Sequence, residues 1–463
     1  MRIRFLAVAT AIVAAVAALA AQGPRQVSLL VTGGTVVTVD AGNRVLAGGA
    51  VAIDGTDIVA VDTAENIAKQ FRGRETIDAT GQIVLPGLIN THTHAAMVLF
   101  RGLADDLALT EWLNKYIFPA EARTVSPEFV RAGTRLAALE MIQSGTTTFA
   151  DMYYFEEDVA AVTKAAGLRG VLGQTVIQFP VADAKTPADA LARAEAFIKR
   201  FENDPLITPA VAPHAMYTLD GPTLKAARDL SKRHGVPTLI HLAETRDEVQ
   251  TAQERFKSSP VAYLDSLGFL GPGVLGAHGV WVNDADIAVL KARGVGVSHN
   301  PESNMKLASG TAPVPAYLRA DVAIGLGTDG AASNNDLDMF EAMRVAALLH
   351  KHASSDPRAL SARAALEMAT IRGARALGKD KSIGSIEPRK RADLITVSVS
   401  GARQTPMYDP VSHLVYVIRG DDVQNTIVNG KILMRNRKAL TIDEAATLNE
   451  ARAWIEKVRA ATK

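Results

Sequence analysis

Between residues 83 and 385, short apolar runs alternate with longer helix-like stretches, and this alternation constrains the fold more than any other feature. The runs are Ile83–Ile89, Thr146–Asp151, Gly170–Ile177, Ile207–Pro213, Pro237–His241, Val274–His278, Gly294–His299 and Val322–Thr328. Stretches with helical patterning, such as Glu128–Ser144, Ala188–Glu202 and Thr223–His234, lie between them. Eight strand–helix units of this length predict a parallel (β/α)8 barrel of the TIM type. An open doubly wound sheet is the alternative, but no Gly-x-Gly-x-x-Gly turn follows a strand here.

The flanks have a different texture. Val27 to Val39 and Ala50 to Val61 are β-branched and alternating, with Gly33-Gly34 read as a turn and Asp54-Gly55 as a hairpin dipeptide. Near the other end, Ala392–Val399 and Val411–Ile418 read as strands. Val423–Val428, Asn429-Gly430 and Lys431–Met434 read as a hairpin. Two β segments around a long middle predict one small β-sandwich domain built from both chain ends. The expected division is a signal peptide at 1–21, β-sandwich at 22–82, catalytic barrel at 83–385, β-sandwich again at 386–440, and a helix at 441–463.

Chemistry gathers at the strand ends. His92 and His94 close the first run at i, i+2, so on a strand both imidazoles share a face. Two imidazoles aimed at one point make half of a zinc or iron site, although a bare His-x-His is a weak signal. The later runs supply partners: Asp151, His214, His241 with Glu244, His278, His299 and Asp329. In a barrel all these ends meet at one rim. His234, His350, His352 and His413 fall in helix or loop patterns and read as surface or packing residues.

Composition removes other classes. The net charge is +1 with no basic stripe, and aromatics are 5% of residues, which argues against a nucleic-acid partner. The chain contains no cysteine, which excludes disulfides, thiolate metal sites and a cysteine nucleophile. Arg2 and Arg4 precede an uncharged run from Phe5 to Ala20 ending in Ala18-Leu19-Ala20, the composition of a cleaved export signal. The expected location is therefore periplasmic or secreted, with no stable membrane span after cleavage. An uncleaved anchor is the rival, and the run is short and Ala-rich for a span.

These residues resemble the amidohydrolase superfamily, and within it the methylthioadenosine/S-adenosylhomocysteine deaminases and triazine hydrolases. The resemblance rests on Pro86-Gly87 through His92-Thr93-His94, Arg101-Gly102, Trp112-Leu113, Pro119-Ala120-Glu121 and Ala212-Pro213-His214. It continues through His241-Leu242-Ala243-Glu244-Thr245, His299 to Leu307 and Gly327 to Asn335, and so covers nearly all of the chain after residue 21.

The resemblance implies one divalent metal, zinc with iron as the alternative, held by His92, His94, His241 and Asp329. No lysine near Pro213 could carry the carbamate of two-metal relatives. It further implies Glu244 as proton shuttle, His278 orienting the water, and Asp329 accepting a proton while ligating. Glu121 and His214 would contact the sugar and base of a nucleoside, and Trp112 would wall the pocket. The expected reaction is hydrolytic deamination of an aminated heterocycle, such as methylthioadenosine or adenosine, at a C–N bond other than a peptide bond. Release of chloride or opening of an amide on the same site is the second reading, and a non-catalytic secreted binding protein the third. Relatives that take adenosylhomocysteine carry arginines around the third barrel strand; Gly173 to Gln178 has none, and Arg169 would sit at the closed end. Exposed barrel helices often pair subunits, so a homo-oligomer is compatible with the sequence.

Overall fold

The computed structural model describes residues 23–461. The expected export signal at 1–21 lies outside them. Among the described residues, no helix is long and apolar enough to cross a membrane.

The first part of the chain gives β1 (Arg25–Val37), β2 (Val45–Asp54), β3 (Asp57–Thr63), β4 (Phe71–Asp78) and β5 (Gln82–Pro86). The middle gives β6 (Leu88–Thr93), β7 (Thr146–Tyr153), β8 (Arg169–Val176) and β9 (Ile207–Pro213). It continues with β10 (Thr238–Leu242), β11 (Val274–His278), β12 (Gly296–His299) and β13 (Ala323–Leu326). The last part gives β14 (Leu394–Ser398), β15 (Val423–Val428), β16 (Lys431–Arg435) and β17 (Lys438–Ala439). Strands β6 to β13 pair in sequence order, all parallel, as a barrel. The remaining nine strands form one mixed sheet in which β5 joins the two chain ends, parallel to β1 and antiparallel to β14.

Alternation assigns each barrel side chain to the inside or to the helices. On β10, Leu239 belongs to a cluster with Ile89, Ala150, Val171, Ala210 and Leu275, while Ile240 and Leu242 join the large core shared with the helices. The barrel closes between β13 and β6 through Thr91 Oγ1, which donates to Leu326 O at 2.8 Å, and through Asp329 N, which donates to His92 O at 2.9 Å. Two prospective metal ligands thus share the closing seam.

Three sequence expectations need correction. Ile83–Ile89 is not one strand: β5 belongs to the small sheet and β6 opens the barrel, with the break at Gly87. Pro86 donates no ladder bond, and a Cβ at Gly87 would stand 2.2 Å from the Thr147 side chain, so only glycine passes there. Val411–Ile418 is not a strand but the helix Pro410–Tyr416, started by Asp409, whose carboxylate accepts from the backbone N–H of Val411 at 2.8 Å and Ser412 at 3.3 Å. Gly33-Gly34 does not reverse the chain; β1 runs through it with a shifted register against β2.

Candidate active site and metal centre

Every residue of the site stands at or just past the carboxyl end of a barrel strand, or on a helix capping that rim. His92 and His94 follow from β6, His241 from β10, His278 ends β11, and Asp329 comes three residues after β13. One oxygen of Asp329 lies 3.4 Å from His92 Nε2 and 3.3 Å from His94 Nε2, and His94 Nε2 lies 3.3 Å from His241 Nε2. Four donor atoms, two from the end of β6, one from β10 and one from the loop after β13, therefore face one point.

The surrounding backbone fixes which ring nitrogen is free. His94 Nδ1 donates to Met152 O at 2.7 Å, and His241 Nδ1 to His214 O at 2.9 Å. A carbonyl can only accept, so Nδ1 carries the proton and Nε2 presents a lone pair inward. His92 Nε2 is buried with no hydrogen-bond partner. Burial holds His92 down at about 4 and His241 well below the usual histidine value, so both are in the neutral, ligating form. Burial alone would raise the Asp329 carboxyl, but His92 and the neighbouring imidazoles hold it well below the carboxylate range. Unpartnered inward lone pairs beside an ionised carboxylate are the donor set of a divalent cation.

Outer contacts hold these groups in place. Ser303 Oγ donates to the second Asp329 oxygen at 2.7 Å, and the Gly330 N–H donates to the first at 2.8 Å. His278 Nδ1 donates to Asn304 Oδ1 at 2.9 Å, leaving His278 Nε2 3.8 Å from Glu244 Oε2 and 4.0 Å from Asp329 Oδ2. Burial opposes charge on His278, yet Glu244 and Asp329 raise it, whereas burial raises the Glu244 carboxyl. Ala243, His278 and Asp329 all adopt left-handed backbone, with φ of 50°, 75° and 65°. Such conformations cost about 1–3 kcal/mol each away from glycine, and here they turn side chains into the site.

A pocket opens above this centre, lined by both apolar and polar side chains. Trp112, Leu113, Ile117, Phe118 and Leu307 form apolar walls; Glu121, His214, Glu244 and His278 provide polar groups. Glu121 accepts from the Tyr153 hydroxyl at 2.7 Å, and burial pushes its carboxyl up to about 7. Burial lowers His214 to about 3, so it is neutral at ordinary pH. All nine residues expected at the site from sequence are thereby brought together. Asp151 does not line the pocket: its carboxylate accepts from Ala95 N–H at 2.6 Å and props the chain just after His94. His299 lies beneath, its Nε2 3.0 Å from His350 Nε2.

Two contributors escaped the sequence reading. Glu248 accepts from the backbone N–H of Ala243 at 3.0 Å and Glu244 at 2.8 Å, fixing the turn that aims Glu244. Its signal was present as the capping spacing Thr245-x-x-Glu248 at a helix start. Ser303 lay inside a motif already singled out, but its bond to Asp329 spans two loops.

The amidohydrolase family model matches residues 83–433. The chain belongs to the amidohydrolase family. Among its relatives is the 5-methylthioadenosine/S-adenosylhomocysteine deaminase of Syntrophobacter fumaroxidans, 47% identical over 430 residues, covering 93% of this chain and 98% of the relative. The 5'-deoxyadenosine deaminase of Methanosarcina acetivorans is 44% identical over 434 residues, covering 93% and 98%. Among solved structures, an adenosine deaminase from Xanthomonas campestris with bound zinc superposes with a TM-score of 0.93 at 40% identity, covering 94% of this chain and all of that one. For this amidohydrolase, the histidine and aspartate cluster is the place for a divalent metal ion.

Proposed function

We propose that this amidohydrolase is a zinc-dependent hydrolytic deaminase of adenine nucleosides. The observation that carries the reading is Glu244 beside His278 and Asp329, over the free Nε2 atoms, at the floor of the pocket that Trp112, Glu121 and His214 line. The names of the relatives, all adenine-nucleoside deaminases, support it.

His92, His94, His241 and Asp329 would hold the ion. When bound, it supplies Lewis acidity and brings the pKa of a water molecule toward about 7. The chain's own groups do the rest. Glu244 protonates the ring nitrogen next to the amine-bearing carbon, which makes that carbon electrophilic. His278, held by Asn304, orients the water whose oxygen forms the new C–O bond. Asp329 accepts one proton from that water and passes it to the amine, so that the C–N bond breaks and ammonia leaves, and the remaining hydroxyl proton returns to Glu244 as the C=O bond forms. Water and the aminated ring are consumed; the oxo ring and ammonia are formed. Glu121 accepts from the ribose hydroxyls, and Trp112 and His214 flank the base.

The 5' substituent is taken to be uncharged. Among the described residues lining the pocket none is lysine or arginine. Arg169 is occupied 2.9 Å from Asp393 at the opposite end of the barrel. Methylthioadenosine, 5'-deoxyadenosine and adenosine fit this lining better than a substrate ending in an amino-acid carboxylate. We also propose that residues 1–21 are removed on export and that the enzyme works outside the cytoplasm; amino-terminal sequencing of the secreted chain tests this.

Two variants test the chemistry. Glu244→Gln is expected to keep its metal and lose at least roughly 100-fold in turnover. His241→Ala is expected to lose metal and activity together. Near-normal turnover in the first, or full metal occupancy in the second, would remove the assigned role.

A further inference from the structure

A second group of carboxylates lies outside the catalytic centre. Glu302, Asp336 and Glu341 each bring an oxygen within 4.8 Å of the other two. Among the described residues none of the three makes a salt bridge. Both oxygens of Glu302 are buried, with less than 1 Å² of accessible surface each, and neither has a hydrogen-bond partner. The amide of Asn334 lies beside Glu302 and offsets part of the effect of burial on its carboxyl. Asp336 accepts only one bond in the cluster, from Asp338 N–H at 2.8 Å.

A buried carboxylate without a counter-charge is costly, and the two acids beside Glu302 add to the cost by repulsion. Burial and the neighbouring acids push Glu302 well above its ordinary value, and burial pushes Asp336 up to about 7. Protonation would neutralise one of them; a hard cation would satisfy all three, since calcium and magnesium take carboxylate oxygens and water. The partial exposure of Asp336 and the exposure of Glu341 leave a path for the ion.

We propose that Glu302, Asp336 and Glu341 form a second, structural site for a hard divalent cation, distinct from the catalytic centre. Its position gives it a task. Glu302 lies in the first turn of the helix Pro301–Lys306, which also carries Ser303 and Asn304, the residues that hold Asp329 and His278. Asp336 follows the short helix Ala331–Asn334, which begins directly after Asp329 and Gly330. Glu341 sits in the first turn of the long helix Met339–Ser354. A cation bound by all three ties together the two loops that set the geometry of Asp329 and His278.

The test is calcium and magnesium titration of the zinc-loaded full chain, by calorimetry and by thermal unfolding. One ion per chain beyond the zinc is expected, with Kd on the order of 10⁻⁴–10⁻³ M and a Tm that rises with its concentration. Glu302→Gln and Asp336→Asn should each weaken that binding at least roughly tenfold while the zinc content stays at one. If Glu302→Gln does not fold, Asp336→Asn and the wild-type titration decide. Absence of binding of either ion to the wild type at millimolar concentration would overturn the proposal, and so would binding that the substitutions leave unchanged.

Discussion

Replacing Glu121 by glutamine should make the protein more stable and the enzyme worse. Glu121 is 7% exposed, and burial raises its carboxyl from 4.5 to about 7. In the unfolded chain it ionises near 4.5. Below that pH both states are protonated and the group contributes nothing. Between 4.5 and about 7 the unfolded state loses its proton first, so native stability falls as pH rises; above about 7 the full penalty is in place. At about 1.4 kcal/mol for each pH unit between the two values, that penalty is about 3 kcal/mol. Glutamine has nearly the same shape, carries no charge, and can still accept from the Tyr153 hydroxyl. With an unfolding entropy of about 2.1 cal/mol/K per residue, 3 kcal/mol corresponds to about 3 °C in Tm for a chain of 463 residues. Glu121→Gln should therefore melt about 3 °C above wild type at pH 8, with the gap closing near pH 4.5. Meanwhile kcat/KM for a nucleoside with both ribose hydroxyls should fall roughly 10- to 100-fold, the worth of a charge-assisted hydrogen bond. A variant less stable than wild type at pH 8, or equally active, would refute the view that a buried acid is retained there for substrate.

Other residues give sharper local tests. Asn304→Ala removes the acceptor for His278 Nδ1 and should lower turnover roughly 10- to 100-fold with metal content unchanged, as is usual for outer partners of metal-site residues. Arg169→Met strands the buried Asp393 carboxylate that joins β8 to the small sheet; denaturant unfolding should show a loss of about 3–5 kcal/mol, with activity per folded molecule unchanged.

Much of the site could be read from the chain because its residues stand at strand ends. His92 and His94 declare themselves by i, i+2 spacing, and His241, His278 and Asp329 by closing apolar runs, so a barrel topology alone gathers them. What could not be read depended on contacts between distant segments or on ambiguous local signals. Val411–Ile418 is apolar enough for strand or helix, and the single carboxylate of Asp409 decides the matter. The apolar run from Ile83 to Ile89 carries no mark of two sheets until Thr147 is seen to press on Gly87. Ser303 is hydrophilic and unremarkable in sequence; its value lies in reaching Asp329 across 26 residues. Glu302 and Asp336 likewise meet only in space.

The most direct measurement is ammonia release by the zinc-loaded enzyme offered adenosine, methylthioadenosine, 5'-deoxyadenosine, adenosylhomocysteine, guanine, cytosine and a chlorinated triazine. The account predicts fast release from an uncharged adenine nucleoside, with adenosylhomocysteine a much poorer substrate. No ammonia from any adenine nucleoside, with the metal in place, would contradict it and assign the same rim to another hydrolysis.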